Sequence, residues 1–500
     1  MPLVAAGKDR TEARRLQRLA EQGQLRRIHV GIYTDDLVQP LESVVRRELY
    51  ALCALVARGS IISHRSALES KRPTAAGNVF LTGPYRRDID LPGMKLRIAQ
   101  GPEPLDSDIR IPTFGGEAFI SSQARALLEN LTASRGDPAE RRTLGAKGVE
   151  AWLDLFISRD IGGGINKIRD SARTIAEPLG LQEEFKQLDA TIGALLGTRT
   201  VRLSARAAIA RAAGKPYDDA RVTLFQTLAD ELQRNSLQVP LADPHADTYL
   251  QAFIETYFSN YIEGTEFELE EAHDIVVRGR PLNYREDDSH DILGTYQAIL
   301  EQKANSSIPQ SFQSFATQVR EWNRHVIESR SVMSPGEFKS ESNRAGKTVF
   351  VTPELVVGTL EKGYESIMGA ATAENRAALA MFVIAEVHPF ADGNGRTARL
   401  AMNLYLTQAG LTRIIIPTVY RDDYISALKA MSSNAHPIPL VRMLARAARF
   451  SRWVDMSSKS NAFAALKRSN ALERPEAAKL SFDDSPIGVE PERSAASAGS

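Results

Sequence analysis

The sequence has 500 residues, of which 43% are hydrophobic and 25% charged, and its 62 basic and 62 acidic residues give a net charge of zero. This length predicts about three domains with substantial cores. The balanced charge excludes a uniformly basic nucleic-acid-binding coat but allows a local basic patch. The single cysteine, Cys53, excludes a disulfide framework and a cysteine-rich zinc module, so we expect a reducing compartment.

The hydropathy of the chain gives no sign of a membrane segment. No apolar run approaches the roughly 18 residues that a bilayer-spanning helix needs. The first 15 residues lack the order of charged and apolar residues that a secretory signal has. We therefore expect a soluble, cytoplasmic protein without membrane contact.

Residues 1–40 are predicted to form a basic helix followed by a basic hairpin. Thr11 is a suitable N-cap for a helix that Gly23 would end, and the alternating residues after it favour a short strand pair. This order is typical of a winged helix-turn-helix, so Arg14, Arg15 and Arg18 are candidate DNA contacts. The alternative is an amphipathic helix with ordinary surface charge.

The rest of the chain divides by pattern into four further segments. Residues 41–200 mix apolar helices with strands broken by Gly-Pro and Pro-Gly turns, which predicts an α/β domain; His64 within it is interpreted as a structural histidine. Residues 201–240 are predicted to be a linker or basic helical connector. Residues 241–455 read as successive helices, and residues 456–500 as a flexible tail with one possible helix and a disordered end.

The segment from Arg376 to Gly410 holds the residues with the clearest chemistry. It predicts two helices separated by a short polar loop, because Pro389 stops the first helix and glycines follow. Backbone N–H groups at the start of the second helix would form an anion site. Arg396 and Arg399, three residues apart on one helix face, could each bind a phosphate oxygen, and Asn403 continues that face.

Two further side chains of this loop suit catalysis on a phosphate ester. Asp392 would repel an anionic ligand unless a divalent cation lay between them, and Mg²⁺ held by one carboxylate and phosphate oxygens fits this arrangement. His388, at the mouth of the loop, could take a proton from an incoming hydroxyl group. A capped helix end, an ordinary turn and two surface arginines are the alternative, but all these features within 12 residues favour a catalytic anion-binding loop.

This segment resembles the Fic (Fido) family, whose motif HPFx[DE]GNGRxxR is matched at every position: His388, Pro389, Phe390, Asp392, Gly393, Asn394, Gly395, Arg396 and Arg399. The resemblance covers roughly residues 240–455 and implies an all-α domain with a β-hairpin called the flap. Most characterised members transfer AMP from ATP to a hydroxyl side chain of a target protein. A related branch has lysine where Gly395 stands and acts as a kinase, so Gly395 favours adenylyl transfer.

The resemblance also assigns roles to residues. His388 would be the general base, Asp392 would hold Mg²⁺, and the backbone from Gly393 to Gly395 would bind the phosphates of ATP with help from the Asn394 side chain. Arg396 and Arg399 would bind the β- and γ-phosphates, and Phe390, placed with the nucleotide-binding residues, would anchor the loop. The flap, expected around residues 337–352, would bind a target segment along Lys347–Thr352 by strand addition.

A second motif lies upstream of the loop. A helix ending at Gly264 puts Glu263 at the negative end of the helix dipole, an unfavourable place unless a cation compensates. Ser259, Glu263 and Gly264 match the Fic inhibitory motif [ST]xxxE[GN]. By this resemblance Glu263 would pair with Arg399, take the place of the γ-phosphate and force ATP into an unproductive pose.

The N-terminal half resembles the antitoxin-like winged-helix regulators of bacterial abortive-infection systems, which belong to toxin–antitoxin pairs. The match covers roughly residues 10–200 and carries no catalytic signature. Together the two resemblances predict a multidomain fold: an N-terminal winged helix plus a small α/β domain, then a mainly α-helical Fic domain with a β-hairpin flap.

The leading hypothesis is an autoinhibited protein adenylyltransferase that uses ATP and Mg²⁺ and modifies Ser, Thr or Tyr of a target protein. Two enzymatic alternatives remain open at this point: a hydrolase that removes AMP, and a transferase that uses another nucleotide. The alternative from a different class is a DNA-binding autoregulator whose Fic part senses a nucleotide. A homodimer is a further possibility that the family resemblance raises.

Overall fold

The computed structural model describes residues 3–7, 10–70, 72–159, 163–305, 307–346 and 348–484. Its internal contacts divide the chain into two compact units, Met1–Gly214 and Lys215–Ser500. Among the described residues no helix combines the length and apolar character needed to cross a membrane.

The first unit begins with a small three-stranded sheet and one helix. This part consists of strand β1 (Leu3–Ala5), helix α1 (Arg10–Glu21) and the hairpin of β2 (Arg26–His29) and β3 (Ile32–Thr34). The sheet is antiparallel, with strand order β1-β3-β2. Leu16 is the buried residue of α1 and packs with Leu25 and Tyr33. The predicted basic helix and hairpin are therefore present.

The arginines proposed to contact DNA lie exposed on α1. Arg14, Arg15 and Arg18 are all accessible to solvent, and Arg15 pairs with Glu12 at 3.2 Å in an exposed contact of little energetic weight. The described residues that precede β2 contain this one helix and not the helix pair of a helix-turn-helix. The winged-helix assignment and DNA contact therefore stay predictions.

A mixed six-stranded sheet and eight helices complete the described part of the first unit. The sheet has the order β6-β7-β5-β4-β9-β8, with β4 parallel to β9 and β5 parallel to β7. Its strands are β4 (Ile61–Ile62), β5 (Asn78–Gly83), β6 (Arg87–Leu91), β7 (Met94–Gln100), β8 (Ile109–Thr113) and β9 (Gly116–Ile120). The helices are α2 (Leu41–Arg47), α3 (Leu49–Val56), α4 (His64–Leu68), α5 (Gln123–Leu131), α6 (Gly145–Ile157), α7 (Gly164–Leu179), α8 (Gln182–Leu195) and α9 (Arg206–Ala212). His64 is buried with Nδ1 2.8 Å from Oγ of Ser63, which agrees with a structural histidine.

The second unit is mainly helical. Its helices are α10 (Asp219–Arg234), α11 (Thr248–Ile262), α12 (Leu269–Arg278), α13 (Glu286–Asn305), α14 (Phe312–Val326), α15 (Pro353–Gly369), α16 (Ala373–Val387), α17 (Asn394–Gln408), α18 (Arg421–Asn434), α19 (Ile438–Trp453) and α20 (Lys459–Arg468). Every side chain of α16 from Ala377 to Ile384 is fully buried. A helix that is apolar all round belongs at the centre of a core, and α16 lies there with α17 packed against it.

A short hairpin interrupts the helices between α14 and α15. Strands β10 (Arg344–Ala345) and β11 (Thr348–Val349) pair antiparallel, with Ala345 opposite Thr348. The hairpin lies within the segment where the flap is expected. Lys347, the first residue of the predicted target-binding segment, lies outside the described residues; the segment then continues through Phe350 to Thr352, the N-cap of α15.

Two segments expected to be linkers or tails contain core residues. The predicted connector 201–240 includes α10, whose Phe225, Leu228 and Leu232 are buried because they recur at helical spacing on one face. In the described part of the predicted tail 456–500, the possible helix is present as α20. This part is packed and not flexible, because α20 buries Leu466 and Leu480 joins the same cluster. Residues 485–500 lie outside the described residues.

Candidate active site

The candidate site is built where α16 ends. His388 is the C-cap of α16 with φ 52° and ψ 60°, in the left-handed region that non-glycine residues seldom adopt. Its N–H donates to the carbonyl of Ile384 at 3.0 Å, and Pro389 then ends the helix. The polar loop runs to Gly393, the N-cap of α17, with φ 77°. The predicted helix–loop–helix is therefore confirmed, with the second helix beginning at Asn394.

The loop is closed by hydrogen bonds of its own residues. Oδ1 of Asn394 accepts from the N–H of Phe390 at 2.8 Å, and Nδ2 of Asn394 donates to the carbonyl of Phe390 at 2.9 Å. Phe390 is fully buried with its ring centroid 5.5 Å from that of Phe338. Phe390 was grouped with the nucleotide-binding residues and expected to anchor the loop, and the Asn394 side chain was expected to help bind the phosphates. In the structure Phe390 anchors the loop and Asn394 fixes its shape, because both of its polar atoms already have partners inside the loop.

The imidazole of His388 has the form of a general base. Nδ1 lies 3.3 Å from the carbonyl oxygen of Ala385, so a neutral ring that donates Nδ1–H there carries its lone pair on Nε2. The ring stacks on Phe350, with centroids 3.8 Å apart and planes 7° apart. Burial, with a smaller contribution from the charge of Lys339, lowers the pKa of His388 from 6.5 to about 4. The ring is therefore neutral at pH 7 and able to accept a proton.

An anion cradle lies at the N-terminus of α17. The first N–H groups of a helix have no partner within the helix, and the helix dipole adds partial positive charge there. The carboxylate of Glu263 lies against this turn: a Cβ atom built on Gly395 would overlap Oε1 of Glu263. The cradle therefore faces an anion supplied by the chain itself.

The Arg399 guanidinium holds this carboxylate. Nη2 of Arg399 is 2.7 Å from Oε1 of Glu263, and it also donates to the backbone carbonyl of Ser259 at 2.8 Å. Nε of Arg399 donates to Oγ of Ser259 at 2.9 Å. Glu263 is the C-cap of α11 and Gly264 follows with φ 96°. The compensating cation that the dipole argument requires for Glu263 is therefore Arg399.

Arg396 is turned toward a different partner. Its Nη1 lies 2.8 Å from Oδ2 of Asp291 and 3.2 Å from Oδ1 of Asn260, and its side chain is 3% exposed. Nη2 lies 3.8 Å from Oδ1 of Asp392. Nε of Arg396 is buried without a hydrogen-bond partner among the described residues. Arg396 is thus placed beside the cradle with one donor free.

Asp392 is suited to hold a single divalent cation. Oδ1 accepts from the N–H of Gly393 at 2.6 Å, which orients the carboxylate, and the side chain is 39% exposed. Within the described residues no cluster of three or more His, Cys, Asp or Glu could bind a metal alone. Mg²⁺ commonly takes one or two carboxylates and completes its shell with phosphate oxygens and water, so this residue fits the ion.

Asn403 was predicted to extend the phosphate-binding face, and the structure places it elsewhere. Its side chain is fully buried and donates to Oε1 of Glu255 at 2.9 Å and to the carbonyl of Ile414 at 3.1 Å. Its Oδ1 accepts from the N–H of Ile414 at 2.8 Å. The prediction failed because α17 is buried on all sides, so a residue farther along one face reaches the core instead of the cradle.

Four residues that bond to the site were not predicted to act there. Asn323 donates to the carbonyl of Asp392 at 2.8 Å, and Asp291 pairs with Arg396. Lys339 and Asn343, from the segment before β10, bond to the carbonyls of the catalytic loop. All four approach the loop only through folding. For Lys339 and Asn343 the one indication in the sequence was their position within the predicted flap segment, residues 337–352.

Comparison with known proteins gives matches in the second unit. Residues 312–406 match the family described as Fic/DOC family. A protein adenylyltransferase Fic of Drosophila willistoni is 31% identical over 200 residues, which cover 39% of this chain and 39% of that protein. The chain thus spans about two fifths of the length of the curated relatives it matches.

Solved structures give weaker likenesses. Fic-1 from C. elegans aligns over 65% of this chain and 89% of its own, with 21% identity and a TM-score of 0.36. A Fic-domain-containing signaling protein from Bacteroides thetaiotaomicron aligns over 46% and 95%, with 21% identity and a TM-score of 0.34. Both TM-scores lie below 0.5, so we take the relationship from the sequence match.

Proposed function

Because residues 312–406 of this chain form a domain of the Fic/DOC family, we propose that the protein is an autoinhibited protein adenylyltransferase. It transfers AMP from ATP to a Ser, Thr or Tyr hydroxyl of a target protein. The observation that carries the proposal is the Glu263 carboxylate, which lies on Arg399 and against the first turn of α17. This cradle suits an anion and is placed beside a neutral histidine.

The reaction we propose is one in-line displacement. The target hydroxyl oxygen forms a bond to the α-phosphorus, the bond from that phosphorus to the pyrophosphate breaks, and the hydroxyl proton passes to Nε2 of His388. This assignment is supported by the Nδ1 contact with Ala385, which leaves Nε2 as the basic nitrogen. Phe350 stacked on the ring limits its rotation, and restricted geometry of this kind contributes to rate through orientation.

The phosphates would lie where Glu263 now lies. The N–H groups at the start of α17 and the Arg399 guanidinium would bind phosphate oxygens, and Arg396 has one free donor beside them. Mg²⁺ held by Asp392 would neutralise phosphate charge. The assignment of ATP over other nucleotides rests on the family, since these groups recognise phosphates and not the base.

The target would bind along the hairpin of β10 and β11. The hairpin has two short strands, and its Arg344, Ala345 and Val349 are exposed. An exposed strand edge can accept an extended peptide by main-chain hydrogen bonds. Phe350 follows β11 directly and contacts His388, so a peptide bound there would lie next to the base.

Glu263 would act as the brake. Its carboxylate competes with phosphate for Arg399 and for the start of α17, so ATP cannot take its full set of contacts while Glu263 stays in place. Removing the carboxylate frees Arg399 and the start of α17 for phosphate. Glu263 lies one residue past the end of α11, so its loss leaves the helix itself intact.

We test this proposal with labelled nucleotides and the variant Glu263→Gly. We expect incorporation of label from ATP into the chain or an added target to rise on the order of 10-fold or more over wild type, since each ~1.4 kcal/mol of phosphate binding that Glu263 no longer opposes is worth about tenfold. Each of ATP, GTP, CTP and UTP is supplied with Mg²⁺. Intact mass identifies the group that is added.

Two control variants make the outcome decisive. Glu266→Gly removes a carboxylate that pairs with Arg474 at 3.0 Å instead of Arg399, and should stay at the wild-type level. Glu263→Gly combined with His388→Ala should abolish incorporation. Incorporation that is unchanged by Glu263→Gly contradicts the brake, and incorporation that survives loss of His388 contradicts the base. Release of AMP from modified protein by the wild-type chain would favour the hydrolase.

A further inference from the structure

The conformation of His388 needs an external support. A non-glycine residue with positive φ is strained and persists only where surrounding contacts fix it. The loop motif supplies one such contact, the Asn394 bonds to Phe390. The carbonyls of His388 and Pro389 receive no bond from the motif, and both face the segment that precedes β10.

Lys339 bonds to both of these carbonyls. Its Nζ donates to the carbonyl oxygen of His388 at 2.7 Å, and its backbone N–H donates to that of Pro389 at 2.9 Å. Nζ also donates to Oδ1 of Asn343 at 2.7 Å. Asn343 in turn donates to the carbonyl of Phe390 at 2.9 Å. Two residues from outside the motif therefore hold three successive carbonyls of the catalytic loop.

The burial of Lys339 makes this arrangement unusual. The residue is 7% exposed, and its ammonium group forms no ion pair with a carboxylate of the described residues. Burial, with the nearby charge of Arg221, lowers the pKa of Lys339 to about 7. A buried cation without a counter-ion is costly, and an apolar side chain of this length would fill the same space without that cost.

We propose that Lys339 is a positioning residue for the catalytic base, and that Asn343 completes its hold on the loop. Lys339 fixes the backbone of His388 so that Nε2 points at the reacting hydroxyl, and it ties the loop to the hairpin that begins one residue after Asn343. The segment from Lys339 to Asn343 would thus position both the catalytic base and the hairpin that binds the target. This inference rests on the proposed function and adds residues to it that the family motif does not contain.

The test compares Lys339→Met with Lys339→Arg in the Glu263→Gly background. Methionine keeps the bulk and removes the donors and charge, so kcat should fall on the order of 10- to 100-fold, as for a small misplacement of a catalytic group. KM for ATP should not change, since Lys339 contacts no phosphate-binding group. Arginine should restore part of kcat. Lys362→Met, which removes an exposed lysine paired with Glu365 on α15, is the matched control.

Two readouts do not depend on catalysis. Amide hydrogen exchange across residues 386–395 should accelerate in Lys339→Met and stay normal in the control. Burial lowers the pKa of His388 most, and of the charges that face the ring Lys339 lowers this pKa while Glu263 and Asp392 raise it. In the Glu263→Gly background only Lys339 and Asp392 remain, so loss of the Lys339 charge should move the NMR titration of His388 to higher pH. A residue with a purely structural role would change the melting temperature without moving this titration.

The outcomes separate the two proposals. If Glu263→Gly transfers no nucleotide, the proposed function fails, while exchange and the His388 titration still decide the role of Lys339. Normal kcat, normal exchange and an unmoved titration in Lys339→Met overturn the positioning role. If Lys339→Met does not fold, Asn343→Ala decides, since it removes one acceptor of Nζ and the bond to Phe390: unchanged exchange and kcat in that variant also overturn the proposal.

Discussion

His388 serves two purposes at once, because it ends α16 in a left-handed conformation and carries the proposed base on the same residue. The ring stacks on Phe350, with centroids 3.8 Å apart. The Nδ1 contact with Ala385 selects which nitrogen is basic. The reactivity of this ring is therefore set by backbone groups as much as by charged side chains.

The pH dependence of the reaction follows from this residue. Since the folded pKa of His388 is about 4, below its ordinary 6.5, the base stays neutral as the pH falls through 6.5 and is protonated only well below it. For Glu263→Gly we expect the acid limb of kcat/KM for the target to lie below pH 6. That profile reports the free enzyme. An acid limb at pH 6.5 or higher would contradict the burial argument.

In addition to its buried apolar residues, helix α11 has two charged attachments of different strength. Near its middle, Glu255 forms two contacts with Arg413, at 2.6 and 2.7 Å, and accepts from Asn403 at 2.9 Å, all in buried surroundings. At its end, Glu263 has a side chain that is 32% exposed. The first attachment fixes the helix, and the second can open to water.

We expect Glu255→Gln to destabilise the second unit far more than Glu263→Gln. Removing one charge of a buried pair costs about 3 kcal/mol or more, because the partner is left buried and unpaired. Arg399 is buried too, but it keeps its two bonds to Ser259 when the Glu263 charge is removed, and the Glu263 side chain is 32% exposed. The loss there should be about 1 kcal/mol. Thermal melts of the full chain measure both. Equal shifts in melting temperature would mean that the end of α11 is held as firmly as its middle.

The elements around the site differ in how far the sequence predicts them. The end of α16 and the loop were predicted, because Pro389 and the glycines act locally. The pairing of Glu263 with Arg399 was predicted from the family resemblance, since the helix dipole indicates only that some cation lies near Glu263. The prediction for Asn403 was wrong, because the spacing of residues along one face of α17 does not show which neighbouring elements cover that face. Lys339, Asn323 and Asp291 were missed, since they reach the loop from distant parts of the chain.

At the scale of the whole molecule, the two units have separate cores. The buried clusters of the first unit draw on residues between Leu3 and Ala208, and those of the second on residues between Phe225 and Leu480. A unit with its own core can fold alone. All site residues that we assign to catalysis and inhibition belong to the second unit.

We therefore expect a chain that begins at Lys215 to fold and, with Glu263→Gly, to incorporate AMP at the rate of the full-length variant. Circular dichroism melts and labelled-ATP incorporation check the two parts. The same truncated chain with His388→Ala is the negative control. A soluble, cooperatively melting product without activity would show that the first unit contributes to catalysis.

The close approach of Glu263 to Gly395 links two positions that lie 132 residues apart in sequence. Any side chain at position 395 would meet the Glu263 carboxylate, which is the end of a flexible and partly exposed side chain, and would push it aside. A substitution of this glycine would therefore loosen the proposed brake even in a chain that keeps Glu263.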